Sequence, residues 1–335
     1  MGAGLTSSFF LRIANAVASY STAYGSCGTG FCNLVEMTGS VPQTPSNPVS
    51  RRVSRRSFLK RASLIAGTAG LGLAGYSWAI EPNEIDVKTV DIKLERMSPA
   101  FNGFKIALLS DLHFGPYTGE REIGAAVDAV NQLRPDIVAL LGDYVSQPLI
   151  GDNKAAARKA EPCAQVLAGL QSRLGSFAVL GNHDTFTDPH FVTSALKAHG
   201  ISLFQNSKQA IEQDGARIWL LGTDDALLSN CDLDAATSGI PQSETKILLA
   251  HEPDIADRSA KSGIDLQLSG HSHGGQVRAP GLPPLYLPPL GSRYYEGYYR
   301  IGGLQLYTNR GIGTVGVPFR FLCPPEVTLV RLRAV

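Results

Sequence analysis

Four short polar blocks, each lying directly behind an apolar run, constrain this chain more than any other feature. They are Asp111-Leu112-His113, Gly142-Asp143, Gly181-Asn182-His183-Asp184 and Gly270-His271-Ser272-His273, with a lone His251 before the last. The runs ahead of them, Phe104 to Leu109, Ile137 to Leu141, Phe177 to Leu180 and Ile264 to Ser269, read as buried strands. Side chains at the carboxyl ends of such strands meet on one rim. The chain has 7 His, and five of them lie in these blocks, so carboxylate, amide and imidazole groups converge as they would around a metal. The glycines flanking the His271 and His273 pair let backbone and ligand approach closely.

Between the runs, Glu120 to Leu133 carries Ile123, Ala126, Val127, Val130 and Leu133 at helical spacing, and Pro135 stops it. A second helix is expected over Glu161 to Leu174. Strand, helix, strand, with a polar block at each strand end, is the βαβ arrangement that places a site at one edge of a sheet. From about residue 84 to 335 the chain reads as one α/β domain. The stretch from Leu285 to Arg333 reads as strands, and its tyrosines, Tyr294 to Tyr299 among them, read as sheet packing before substrate wall.

In this order the blocks resemble the signature of the calcineurin-like metallophosphoesterase superfamily, matched without a gap from Ser110 to Gly275. The resemblance implies a four-layer α-β-β-α sandwich, two mixed β-sheets packed face to face, with a dimetal site at the strand ends. It implies that Asp143 bridges two metal ions, that Asp111, His113 and His273 complete one, and that Asn182, His251 and His271 complete the other. His183 is then the catalytic group at the leaving oxygen, with Asp184 orienting its ring. A capping role for Asp184 is the plain structural alternative. The mixed nitrogen and oxygen donors suit Mn, Fe or Zn, and no Cys near the blocks offers a thiolate. The implied reaction is in-line attack on phosphorus by a hydroxide bridging the metals. Arg310, in Asn-Arg-Gly, is a candidate substrate-phosphate partner by residue type.

Lys+Arg 30 against Asp+Glu 29 leaves the chain nearly neutral, and no basic stripe predicts nucleic acid as a partner. The one dense basic cluster, residues 51–61, is followed by an uncharged stretch, 62–80, rich in Gly, Ala and Leu. The run Ser54-Arg55-Arg56-Ser57-Phe58-Leu59-Lys60 resembles a twin-arginine export signal. It predicts passage through the twin-arginine translocase to the periplasm or cell envelope, with 62–80 a cleaved leader or a retained membrane anchor. Residues 1–50 read as a disordered extension or a mis-assigned start, Met37 being the alternative beginning. Cys163, Cys231 and Cys323, an odd set without tight spacing, predict no disulfide framework.

Within the superfamily the chain resembles the exported YkuE and YaeI-like branch. The expected function is an exported phosphodiesterase or phosphomonoesterase acting on a lipid or cell-envelope substrate. A UDP-2,3-diacylglucosamine pyrophosphatase-like hydrolase of lipid A synthesis is the enzymatic alternative, disfavoured by export because that reaction is cytoplasmic. An exported metal-binding protein without catalysis is the other, disfavoured by the presence of His183 beside all seven ligands.

Overall fold

The computed structural model describes residues 54–148 and 151–335. The expectations for residues 1–50 and for the start of the basic cluster, Arg51 and Arg52, lie outside the described residues.

Helix α1 (Arg55–Ala79) comes first, followed by strand β1 (Asp86–Leu94) and β2 (Lys105–Leu109). Then α2 (Glu120–Leu133), β3 (Ile137–Leu140), α3 (Asn153–Ala157), α4 (Ala160–Leu167), β4 (Ser176–Ala178), α5 (Asn182–Thr187), α6 (Pro189–Ala198) and β5 (Ser202–Leu203) complete the first half. The second half holds β6 (Ser207–Gln213), β7 (Ala216–Gly222), α7 (Leu233–Thr237), β8 (Thr245–Leu249), α8 (Ala256–Lys261), β9 (Leu266–Ser269), β10 (Gly297–Ile301), β11 (Leu304–Thr308) and β12 (Glu326–Ala334).

The strands form two sheets, ordered β1-β12-β2-β3-β4-β5 and β10-β11-β9-β8-β7-β6. In the first, only the β12–β2 pair is antiparallel, and in the second the outer pairs β10–β11 and β6–β7 are. Both sheets are therefore mixed around a parallel centre, as expected.

Every strand ahead of a polar block is buried on both faces, so β2, β3 and β4 show no polar alternation, while β9 buries the polar Gln267 and Ser269 as well. Ile106, Leu108, Ile137 and Ala139 of the first sheet pack with Ile218, Leu220, Ile247, Leu249 and Leu266 of the second. On its outer face the first sheet turns Ala107, Leu109, Val138 and Leu140 to Ile123, Val127, Cys163, Leu167 and Leu196 of the helices. The second covers Leu221, Leu248 and Leu306 with Leu233, Ala236, Ile255 and Ala256. Three stacked cores give the α-β-β-α sandwich, each fully buried large side chain contributing about 1.5–3 kcal/mol.

Two expectations are corrected. The helix expected over Glu161 to Leu174 stops at Leu167. There Asn131 takes over the backbone, donating to the Gly169 carbonyl (2.9 Å) and accepting from the Gln171 N–H (2.7 Å). The stretch from Leu285 to 296 is a loop, because Pro283, Pro284, Pro288 and Pro289 in and just ahead of it leave no N–H to donate to a ladder. That loop, together with Val277, lies over the polar blocks.

Among the described residues no helix is long and apolar enough to cross a membrane. Helix α1 nonetheless leaves Phe58, Leu59, Leu64, Ile65, Leu71, Leu73 and Trp78 exposed, and buries Ser77 alone. Its carboxyl end is tied down: the Arg320 N–H donates to the Ser77 carbonyl (3.0 Å) and the Cys323 N–H to the Glu81 carboxylate (2.6 Å). Cys163, Cys231 and Cys323 are free and buried.

Candidate metal centre

The blocks follow β2, β3, β4, β8 and β9, neighbouring parallel strands of the two sheets, so their side chains meet at one end of the sandwich. The turns are abrupt: Asp111, His113, Asp143, His271 and His273 all have left-handed backbone, with φ of 52°, 47°, 57°, 68° and 51°. Non-glycine residues rarely adopt this region, and each such residue carries on the order of 1–3 kcal/mol of strain that its surroundings must over-determine. The surroundings do so with close backbone approach. A Cβ on Gly181 would overlap Asp143 Oδ1, and one on Gly270 would overlap Ser110 Oγ and Asp111 Oδ2.

Seven side chains expected as ligands are brought together. Asp111, His113 and His273 form one group and Asp143, His251 and His271 another, each with its donor atoms within 4.8 Å of one another. Asp143 lies between them, its Oδ2 3.6 Å from His113 Nε2 and 3.2 Å from His251 Nε2. His273 Nε2 is 3.4 Å from Asp111 Oδ1. Asn182 borders the same cavity, and its buried Oδ1 has no hydrogen-bond partner.

The far sides of two rings are fixed by carbonyls. His251 Nδ1 is 2.6 Å from the Leu141 oxygen and His271 Nε2 2.8 Å from that of Pro289, which puts a proton on those nitrogens and turns His251 Nε2 and His271 Nδ1 toward the cluster. Burial lowers His113 to about 3, His271 to about 4 and His273 well below its ordinary value, so these rings are neutral, as ligands must be. Burial pushes Asp143 up, but His251, whose ring the same carboxylate raises well above its ordinary value, outweighs it and holds Asp143 well below the usual range. Imidazole nitrogens 2.9 Å apart (His113 and His273) and 3.2 Å apart (His251 and His271), with the unpartnered amide oxygen of Asn182 beside them, are a donor set suited to two metal ions. The residues fit the group.

His183 stands next to the cluster, 4.7 Å between its ring centre and that of His113. The Gln147 backbone N–H donates to His183 Nδ1 (2.8 Å), so in the neutral ring the proton sits on Nε2. Asp184 does not orient this ring, correcting the expectation. Its carboxylate accepts from four backbone N–H groups, of Asp143 (2.8 Å), Tyr144 (2.9 Å), Val145 (3.2 Å) and Gly181 (3.0 Å). It therefore caps α5 and clamps the turn that presents Asp143. Burial and the neighbouring Asp143 push Asp184 up, to about 8. With every partner a donor, a proton on either oxygen would have no acceptor, and the carboxylate is the form that fits.

Arg310 is likewise corrected. It is buried, paired with Asp86 (2.6 Å) and 2.7 Å from Glu326 Oε2, and does not border the cavity above the metal cluster. The Tyr294 to Tyr299 run behaves as packing: Tyr294 and Tyr299 stack edge to face with centroids 5.1 Å apart. Tyr286, in the proline loop, is the tyrosine that borders the cavity.

Three contributors escaped the sequence reading. Gln147 acts through its backbone, which no residue type announces. Ser110 donates its hydroxyl to Asp111, and its place directly before the first ligand was the available signal. Arg320, fully buried, donates to the carbonyls of Arg310 (3.0 Å), Gly311 (3.2 Å), Gly313 (2.7 Å) and Cys323 (2.9 Å). The Gly313 N–H in turn donates to the Asp111 carbonyl (2.7 Å), so Arg320 braces the first ligand from behind.

Fold and centre together define a dinuclear metallohydrolase. The calcineurin-like phosphoesterase family model matches residues 104–275. The chain is similar to an uncharacterized metallophosphoesterase, YkuE, of Bacillus subtilis, with 34% identity over 290 residues covering 85% of this chain and 99% of that one. It is similar to the phosphodiesterase YaeI of Escherichia coli, 30% identical over 285 residues, 84% and 99% covered. A zebrafish (Danio rerio) transmembrane protein with a metallophosphoesterase domain is 31% identical over 302 residues, covering 86% of this chain and 66% of its own. The chain belongs to the calcineurin-like phosphoesterase family, in the branch that holds YkuE and YaeI, and is a metal-dependent phosphoester hydrolase.

Proposed function

We propose that the chain hydrolyses phosphodiesters bearing an apolar organic group, on the outer side of the cytoplasmic membrane. The observation that carries this is the cavity above the metal cluster. It measures about 590 Å³, with Asp143, Asn182, His271 and His273 at its floor and Leu227, Val277, Leu285, Tyr286, Pro288 and Val317 among its walls. Among the described residues no Lys or Arg borders it, as a site for the dianion of a monoester would want. Similarity to a phosphodiesterase of Escherichia coli supports the same ester class.

In this reading Asp111, His113 and His273 hold one metal ion, Asn182, His251 and His271 the other, and Asp143 both. Bound there, the pair supplies an activated water and neutralises charge on the phosphoryl oxygens. His183 keeps a proton on Nε2, its Nδ1 being engaged by Gln147, and donates it in a hydrogen bond to the leaving oxygen.

The test is turnover of bis-p-nitrophenyl phosphate against p-nitrophenyl phosphate after chelation and re-addition of Mn, Zn or Fe. The reading expects metal-restored hydrolysis with the diester faster; a faster monoester refutes the ester class. Export rests on the run Ser54 to Lys60. Exchanging both Arg55→Lys and Arg56→Lys in the full chain is expected to strand it in the cytoplasm, and unchanged export would refute the twin-arginine route.

A further inference from the structure

We propose that a trough beside the metal cluster, between the turn at Phe114 to Thr118 and α3, is a second arm of the active site that takes a hydrocarbon ester group of the substrate. This rests on the phosphodiesterase reading and adds where the apolar group lies and what holds it.

The trough encloses about 680 Å³, within the range of small-molecule sites. Phe114, Pro116, Tyr117, Pro148, Ala156 and Val315 wall it. It shares Gln147, Val315 and Gly316 with the cavity over the metals, so the two hollows meet at the residue whose N–H holds His183. A phosphorus atom held over the ligands would sit in the first hollow with the second adjoining it, and a diester has two organic groups to fill them. A monoester would leave one arm empty.

The wall chemistry selects the occupant. Ser146, Gln147, Asp152, Lys159 and Thr314 are its polar residues, and the rest of the lining is apolar or glycine, a surface that favours a hydrocarbon over a sugar or nucleoside. Tyr117 is 49% exposed, and a hydrocarbon laid along it would remove that apolar face from water. Beyond Tyr117 the trough runs into a further hollow, with which it shares Pro116, Tyr117 and Thr314 and which Trp78 and Ala79 of α1 complete. Trp78 is exposed, as are the apolar side chains along the rest of α1. Arg121 and Glu122 also line that hollow, where they pair with each other, and past them the path from the metals reaches the exposed apolar side chains of α1, along which a long chain can continue.

The experiment uses the full chain with its restoring metal and a series of p-nitrophenyl alkyl phosphates, methyl to octyl, each below its micelle concentration. Because full burial of a methylene is worth roughly fourfold, an open trough should raise kcat/KM by about twofold or more per methylene. Ala156→Trp, which fills the trough from α3, is expected to flatten the series. Tyr117→Ser, at an exposed position, should lower the slope and serves if the tryptophan variant does not fold. A flat wild-type series overturns the arm while the phosphodiesterase reading stands. A rising series that neither variant changes also overturns it, because the chain then lies in the cavity under Leu285 and Tyr286. Absence of metal-dependent turnover even of the methyl ester overturns the diesterase reading, and the arm with it.

Discussion

Replacing Asp184 by Asn separates two roles for this carboxylate. If Asp184 oriented His183, Asp184→Asn would leave the metals and the fold in place and lower turnover. The structure gives it four backbone N–H donors, two on each oxygen. An amide keeps one oxygen and sets an NH₂ against the other two donors. Two buried N–H groups then lack acceptors, at about 1–3 kcal/mol each, or roughly 2–6 kcal/mol in all. Against a net stability of about 5–15 kcal/mol this is a large loss, on the order of 5–20 °C in melting temperature for a domain of this size. The turn it clamps carries Asp143, so metal content should fall with stability. Calorimetry and metal analysis of dialysed protein read both. A variant that melts with the wild type, holds two metals and loses only turnover would refute the clamp.

His183→Ala is expected to keep both metals and lose turnover, and the loss should be larger for an alkyl leaving group than for p-nitrophenolate, which needs no help; equal losses would sink the leaving-group role. Gly270→Ala should force Ser110 and Asp111 apart and deplete metal, read as stoichiometry below two per chain, whereas full occupancy would contradict the close approach. Chelation should lower the melting temperature, since a ligand at 1,000 times its Kd stabilises by about 4 kcal/mol, and an unchanged melt would mean that the cluster does not bind metal.

The parallel centre of both sheets and the seven clustered side chains were legible in the sequence because each block follows a run buried on both faces. Pattern and position there say the same thing. Arg310 and Asp184 were misread for a common reason: residue type states what a side chain can contact, and long-range partners decide what it does. Asp86, far away along the chain, and Glu326 on β12 claim Arg310, and the turn after β3 claims Asp184. The loop from 285 to 296 was read as strand from its tyrosines, while the prolines around it carried the stronger constraint. Gln147 was invisible because a backbone N–H has no letter.

The left-handed ligands explain why the motif is spelled as it is. Five metal-facing residues at φ between 47° and 68° cannot be β-branched or bulky without further strain, and Asp and His tolerate the region better than most. Each needs neighbours that hold it there: Gly142 at φ 96° and Gly181 let two turns touch, Asp184 ties the Asp143 turn to α5, and Arg320 fixes the carbonyls behind Asp111. The strain summed over five residues is of the same order as the net stability of a domain. It persists because three buried cores over-determine the strand ends from which the turns spring. The same rigidity presets the distances between ligands before any cation arrives, so that little reorganisation accompanies binding or turnover. The glycines and the clamping carboxylate are thus part of the catalytic design as much as the ligands are.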